Sequence, residues 1–202
     1  MTRRTIVLVS MLAACVAAVS AVVVGIAAPG EGSPGASGLT DTGDHAAPLT
    51  AGTGCDGAPV SVPREGRPAL VTFLFADCPD ICPRAAREIS LALDRVGPVA
   101  DEIDVVAVSV DPEGDTPAAV RAFLARHDLI GRMHYIIGSR RELAPIWKAW
   151  QVAAQPRGKE VSAHSARIVL VDREGRQVGA YSAGIPVSVG DLAAEIETLS
   201  ES

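Results

Sequence analysis

Phe73-Leu-Phe-Ala-Asp-Cys-Pro-Asp-Ile-Cys-Pro83 is the stretch on which the reading of this chain turns. It follows Ala69-Leu-Val-Thr-Phe-Leu-Phe75, a short and continuously apolar run of the kind that forms a buried strand. Helix signals come directly after the second cysteine. Pro83 suits a first helical turn, and Ile89, Leu93 and Val96 repeat at i, i+4, i+7. Cys78 and Cys82 therefore sit where a strand ends and a helix begins. A helix N-terminus stabilises negative charge, which favours thiolate over thiol. If the helix already runs through both positions, the i, i+4 spacing puts the two sulfurs on one face. Two adjacent thiolates can close a disulfide or hold a soft metal ion.

Working outward, the N-terminal side divides into two segments. Met1-Thr-Arg-Arg4 opens with positive charge, and Ile6 to Ala28 then carries none. A membrane-spanning helix needs about 20 apolar residues, against about 7–15 for the apolar part of a cleaved signal peptide. The length favours an uncleaved signal-anchor over residues 1–28, and Arg3 and Arg4 place the rest of the chain outside the cytoplasm. Two rivals stay open. Leu12-Ala-Ala-Cys15 resembles a lipoprotein box, which would make Cys15 a lipidated first residue, and cleavage near Ala18-Val-Ser20 would release a secreted form. All three put the domain on the extracytoplasmic side of the cell membrane. Pro29 to Gly54 is rich in Gly, Pro, Ser, Ala and Thr without apolar periodicity, so it reads as a flexible linker.

The folded domain is expected over residues 55–202, enough for one ordinary core. A short strand is expected at Val60–Val62, followed by the strand Ala69–Phe75 and a helix from about Pro83 to Val96. Ile103–Val110 reads as a second apolar strand. Asp111-Pro-Glu-Gly-Asp-Thr-Pro117 ends it and opens a helix that Asp115 or Thr116 can cap, with Asp111 and Asp115 read as turn and cap residues and Val120, Phe123, Leu124 and His127 as the buried stripe. Met133–Ile137 is a short strand, expected at an edge. Leu143, Ile146, Trp147 and Trp150 make a further helical stripe. Ala166–Val171 and Gln177–Tyr181 flank the turn Asp172-Arg-Glu-Gly175 as a β-hairpin, and Val189–Leu199 closes the chain as a helix. Alternation first and a hairpin last predict an α/β, thioredoxin-like sandwich, a central mixed sheet flanked by helices. In that fold a redox pair follows the first core strand, where Cys78 and Cys82 fall. The formal charge of −6 and the 3% aromatic content argue against a nucleic-acid surface.

Three segments taken together, Cys78-Pro-Asp-Ile-Cys-Pro83, Val108-Ser-Val-Asp-Pro-Glu-Gly-Asp-Thr-Pro117 and Val161-Ser-Ala-His-Ser-Ala-Arg-Ile-Val-Leu-Val-Asp172, resemble the Sco/SenC family. The likeness spans about Pro68 to Ser200. It implies a membrane-tethered copper protein of thioredoxin fold that serves cytochrome c oxidase assembly, with copper held by Cys78, Cys82 and His164. Soft thiolates suit Cu(I), and an imidazole tolerates both oxidation states of copper, so a fourth ligand would admit Cu(II). Upstream the chain departs from the family pattern: Cys55 is not a motif residue, and it could be a free thiol, an intermolecular link or a partner of Cys15. His127 and His134 read as ordinary helix and strand residues, His45 as a solvated one, and Asp80 as either tuning the site or facing solvent.

Two functions from different classes follow. The first is a metallochaperone, not an enzyme in the strict sense, which receives copper from an unidentified donor and delivers it to the copper-binding subunit of the oxidase. The second is an extracytoplasmic thiol-disulfide oxidoreductase that keeps the cysteines of the oxidase copper site reduced, using the Cys78/Cys82 couple as a redox-active disulfide and drawing on a thiol reductant. A structural disulfide is the plainest reading of the pair, and a strand-to-helix junction seldom needs such a tie. A peroxidase of the peroxiredoxin type fits poorly, because Cys82 is followed by Pro83 and Arg84.

Overall fold

The computed structural model describes residues 38–43, 45–153, 167–182 and 185–201. The expected anchor over residues 1–28, the first part of the linker and His164 lie outside the described residues.

The two apolar runs form the centre. β5 (Ala69–Leu74) and β6 (Asp104–Ser109) are buried at every position and pair in parallel, from Ala69 opposite Asp104 to Leu74 opposite Ser109. Strands covered on both faces need no polar alternation, which is why both read as unbroken runs. β7 (His134–Ile137) extends the parallel set beside β6. On the other side β8 (Arg167–Val171) lies antiparallel to β5, with Thr72 opposite Ile168, and the hairpin partner β9 (Arg176–Ser182) follows it. The sheet is therefore mixed.

Four helices flank it among the described residues: α1 (Ile81–Val96), α2 (Pro117–Arg126), α3 (Arg140–Ala149) and α4 (Val189–Glu201). On one face Leu70, Leu74, Val105 and Leu170 pack with Ile89 and Leu93 of α1, Phe123 of α2, and Leu192 and Ile196 of α4. On the other face Val71, Phe73, Val106, Val108 and Val169 pack with Leu143, Ile146 and Trp147 of α3 and with Trp150. Local signals fix the helix starts. Thr116 accepts the Ala119 N–H at 3.2 Å with Pro117 next, and Ser139 and Glu142 cap α3 reciprocally. Helices on both faces of a central mixed sheet make this the thioredoxin-like sandwich anticipated from the element order.

The expected linker ends earlier than its composition suggests. β1 (Leu39–Thr40) and β2 (His45–Ala46) pair with β9, and β3 (Thr50–Gly54) pairs with both β7 and β4 (Pro59–Val62). The path through the sheet is β1-β9-β8-β5-β6-β7-β3-β4. β4 puts Val60 and Val62 into the core, whereas β2 and β3 are held by backbone pairing and close approach. A Cβ on Gly52 would fall 2.5 Å from Ile136 Cγ2, so the glycine that looks like linker is what lets β3 lie against β7. Thr50 is fully buried, and the Trp150 indole N–H donates to its hydroxyl at 2.6 Å. β7 is consequently an interior strand rather than an edge, with His134 at its exposed first position.

Candidate metal centre

β5 ends at Leu74, and the chain turns at once, with the Cys78 N–H donating to the Phe75 carbonyl at 3.3 Å. α1 begins at Ile81, two residues before the Pro83 start expected from sequence. Cys82 thus lies inside the first turn, and Pro83 takes a position whose N–H would have no intrahelical partner. Asp80 occupies the N-cap position without a side-chain cap bond and is exposed. The sulfur of Cys78 takes the cap's role, accepting the Cys82 N–H at 3.3 Å.

This geometry divides the two thiols. The Cys82 thiol hydrogen-bonds to the Cys78 sulfur, and the backbone N–H groups of Asp80, Cys82 and Ile81 point at it as well. Together they outweigh burial and bring the Cys78 pKa well below that of an ordinary thiol. Cys82 moves the opposite way, raised by its bond to Cys78, by burial and by the Cys78 charge, with Asp115 adding to the effect. Both are buried free thiols, so the pair comprises one thiolate and one thiol held side by side at a helix N-terminus.

A third group belongs to this neighbourhood, and the sequence reading placed it elsewhere. Asp115 was expected in a turn or cap position, but Thr116 caps α2 and Asp111 serves the turn, accepting the Gly114 N–H at 3.1 Å. Asp115 is only 5% exposed. It accepts the Ala76 N–H at 2.7 Å, the Ser109 hydroxyl at 2.6 Å and the Tyr135 hydroxyl at 3.1 Å. Burial raises its pKa to about 6 against the pull of those bonds. The clue was available in the sequence: Thr116-Pro117 suffices to start the helix, which left Asp115 without a task, and Ser109 and Tyr135 interrupt apolar strands.

Of the three proposed ligands, the structure brings Cys78 and Cys82 together. The entry of β8 lies at the same end of the sheet, since Thr72 near the end of β5 faces Ile168 near the start of β8. No three His, Cys, Asp or Glu side chains converge in a metal-holding group among the described residues, which do not include His164. Cys55 is a half-buried free thiol whose backbone N–H donates to the Tyr135 carbonyl at 2.9 Å, and burial raises its thiol pKa. His127 caps the end of α2 with its ring tilted against Phe123, centroids 4.8 Å apart, and His134 is exposed.

The family model described as SCO1/SenC matches residues 55–201. The chain belongs to the SCO1/SenC family. Relatives in it include the human mitochondrial SCO1 homologue, 25% identical over 142 residues that cover 66% of this chain and 45% of that protein. The chain spans about half the length of such mitochondrial relatives. Among solved structures, copper-bound ScoI of Bradyrhizobium japonicum is 29% identical with a TM-score of 0.64, over 76% of this chain and 99% of that one. BsSco, a member of the Sco family of cytochrome c oxidase assembly proteins in which a disulfide switch has been identified, gives a TM-score of 0.67 at 22% identity, over 80% and 97% of the two chains. No helix among the described residues is long and apolar enough to cross a membrane.

Proposed function

We propose that this SCO1/SenC protein binds copper through Cys78, Cys82 and His164 and delivers it to the copper centre of cytochrome c oxidase during assembly. The observation that carries the reading is the Cys78 sulfur, cradled by the N-terminal N–H groups of α1 with the Cys82 thiol beside it. A preformed thiolate with a second sulfur donor next to it suits a soft monovalent ion. Uptake of Cu(I) would displace the Cys82 proton, leaving two thiolate donors. His164 lies three residues before β8, which enters the sheet at the cysteine end, and this supports its role as the third donor. Copper is cargo in this reading, passed on by ligand exchange. Residues 6–28 act as the anchor that holds the domain on the extracytoplasmic face; recovery of a mature chain beginning at a modified Cys15 would replace the anchor with a lipid.

The division of the pair into thiolate and thiol also favours a second reading, reduction of a disulfide in the oxidase subunit. Cys78 would attack one partner sulfur and expel the other as a thiolate. Cys82 would then give up its proton and attack Cys78, releasing the second partner sulfur and leaving a Cys78–Cys82 disulfide. An exogenous dithiol would have to restore the pair. His164→Ala separates the two roles. It should abolish oxidase maturation at limiting copper while exchange with a partner disulfide continues at close to the wild-type rate. Full maturation by the variant would make reduction the main activity.

A further inference from the structure

We propose that Asp115 is the positioning residue of the dithiol site, fixing the turn that carries Cys78 onto the end of β6 and onto β7 through the Ala76 N–H. The proposal rests on the reading of Cys78 and Cys82 as the functional pair.

The ladder between β5 and β6 stops beyond Leu74 and Ser109. The Val110 N–H donates to the Leu74 carbonyl at 3.0 Å, the last bond that ties β5 to the β6 side. Ala76 lies beyond β5 and is buried, so its N–H needs a partner that the strands no longer supply. Asp115 Oδ1 is that partner. Its other oxygen, Oδ2, is held by Ser109 at the end of β6 and by Tyr135 in β7. One carboxylate therefore joins three segments, and the segment it joins to the sheet ends at Cys78, two residues after Ala76. The Cys78 sulfur in turn meets the Cys82 N–H. Moving Ala76 moves the sulfur relative to the helix terminus that stabilises it.

A purely local role does not account for this acid. Thr116 already caps α2, and Asp111 already serves the turn. The partners are an amide and two hydroxyls, all neutral, and burying a carboxylate on neutral donors is costly. A carboxylate is nevertheless an acceptor only, so every donor aimed at it is committed to one geometry. Rules of stability are broken most often where a site needs support.

The test compares Asp115→Leu, which fills the space without an acceptor, with Asp115→Asn, whose amide oxygen can still take the Ala76 N–H. In the metal-free reduced full chain, Asp115→Leu should speed amide exchange at Ala76 and Cys78, and alkylation of Cys82, by about tenfold or more. Val106 and Val108 in β6 should stay protected. Cu(I) affinity should fall by about 10–100-fold, the scale of losses at groups that orient ligands. Asp115→Asn should restore all of these to within about threefold of wild type, a scale set by the same precedent. Unchanged Ala76 exchange and Cys82 alkylation in a folded Asp115→Leu would overturn the proposal, and so would an Asn variant as impaired as the Leu variant. If Asp115→Leu does not fold, Ser109→Ala and Tyr135→Phe each remove one hydroxyl that steadies the carboxylate. Faster exchange at Ala76 in both supports positioning, and unchanged exchange in both contradicts it. Exchange and alkylation are read without metal, so a wild type that takes up no Cu(I) counts against the copper reading alone.

Discussion

At the scale of single residues, three buried ionisable groups set the chemistry. The backbone N–H groups at the start of α1 favour a charged Cys78, while Cys82 stays protonated. A small alkylating reagent at pH 7 should therefore modify Cys78 before Cys82 in the reduced protein, as peptide mass spectrometry would record. The reverse order would contradict the assignment. Asp115 and Asp104 shift in opposite directions. Burial alone would raise Asp104, but the guanidinium groups of Arg64 and Arg67 bring it below the ordinary value. Its contribution is present above the unfolded-state value and lost as pH falls through the folded one. Burial raises Asp115 to about 6, so the native state holds that proton more tightly than the unfolded chain does. Stability from this group is full in acid and lost as pH rises from about 4 through about 6, amounting to about 3 kcal/mol. Asp115→Asn removes the titration. Its unfolding free energy relative to wild type should rise by roughly that amount between pH 4 and pH 8, measured by denaturant unfolding. A difference independent of pH would show that the carboxyl is not buried as described.

At the scale of elements, what the sequence made legible and what it hid divide by the kind of force that holds each piece. β5, β6 and the faces of α2 and α3 could be read because burial imposes an apolar run or stripe, as in Val120, Phe123 and Leu124 or Leu143, Ile146 and Trp147. β1, β2 and β3 could not. They are short, rich in Gly and Thr, and held by backbone ladders to strands far away in the chain. The burial of Thr50 depends on Trp150, a hundred residues later. The start of α1 was misplaced for a related reason: Pro83 is a good early-helix signal, but the group that caps this helix is a sulfur, which propensity does not anticipate. Gly52→Ala tests the element most at odds with its composition. With Ile136 Cγ2 only 2.5 Å from the added Cβ, the Ile136 side chain or one of the two strands must shift, at a cost of about 1–3 kcal/mol. In an Ile136→Ala background the same substitution should cost much less, and equal costs in both backgrounds would rule out the close approach.

At the scale of the whole molecule, the sheet gathers groups that the sequence scatters. Strand order sets β8 beside β5, and β6 and β7 on its other side, so Ala76 just past β5, Ser109 at the end of β6 and Tyr135 in β7 meet at Asp115 next to the cysteine pair. The order of elements and the placement of Cys78 and Cys82 were readable because each follows from local pattern. The convergence on Asp115 was not, because it depends on which strands become neighbours. Copper binding by this arrangement is the central claim, and a competition titration with a Cu(I) chelator tests it most directly, run on the full chain with the pair reduced, with the pair oxidised, and as His164→Ala. The reduced protein should take up one Cu(I), the oxidised form should lose that affinity because the linked sulfurs are poor donors, and His164→Ala should bind at least about tenfold more weakly. Equal affinity in the oxidised and reduced forms, or in His164→Ala and wild type, would contradict the ligand set.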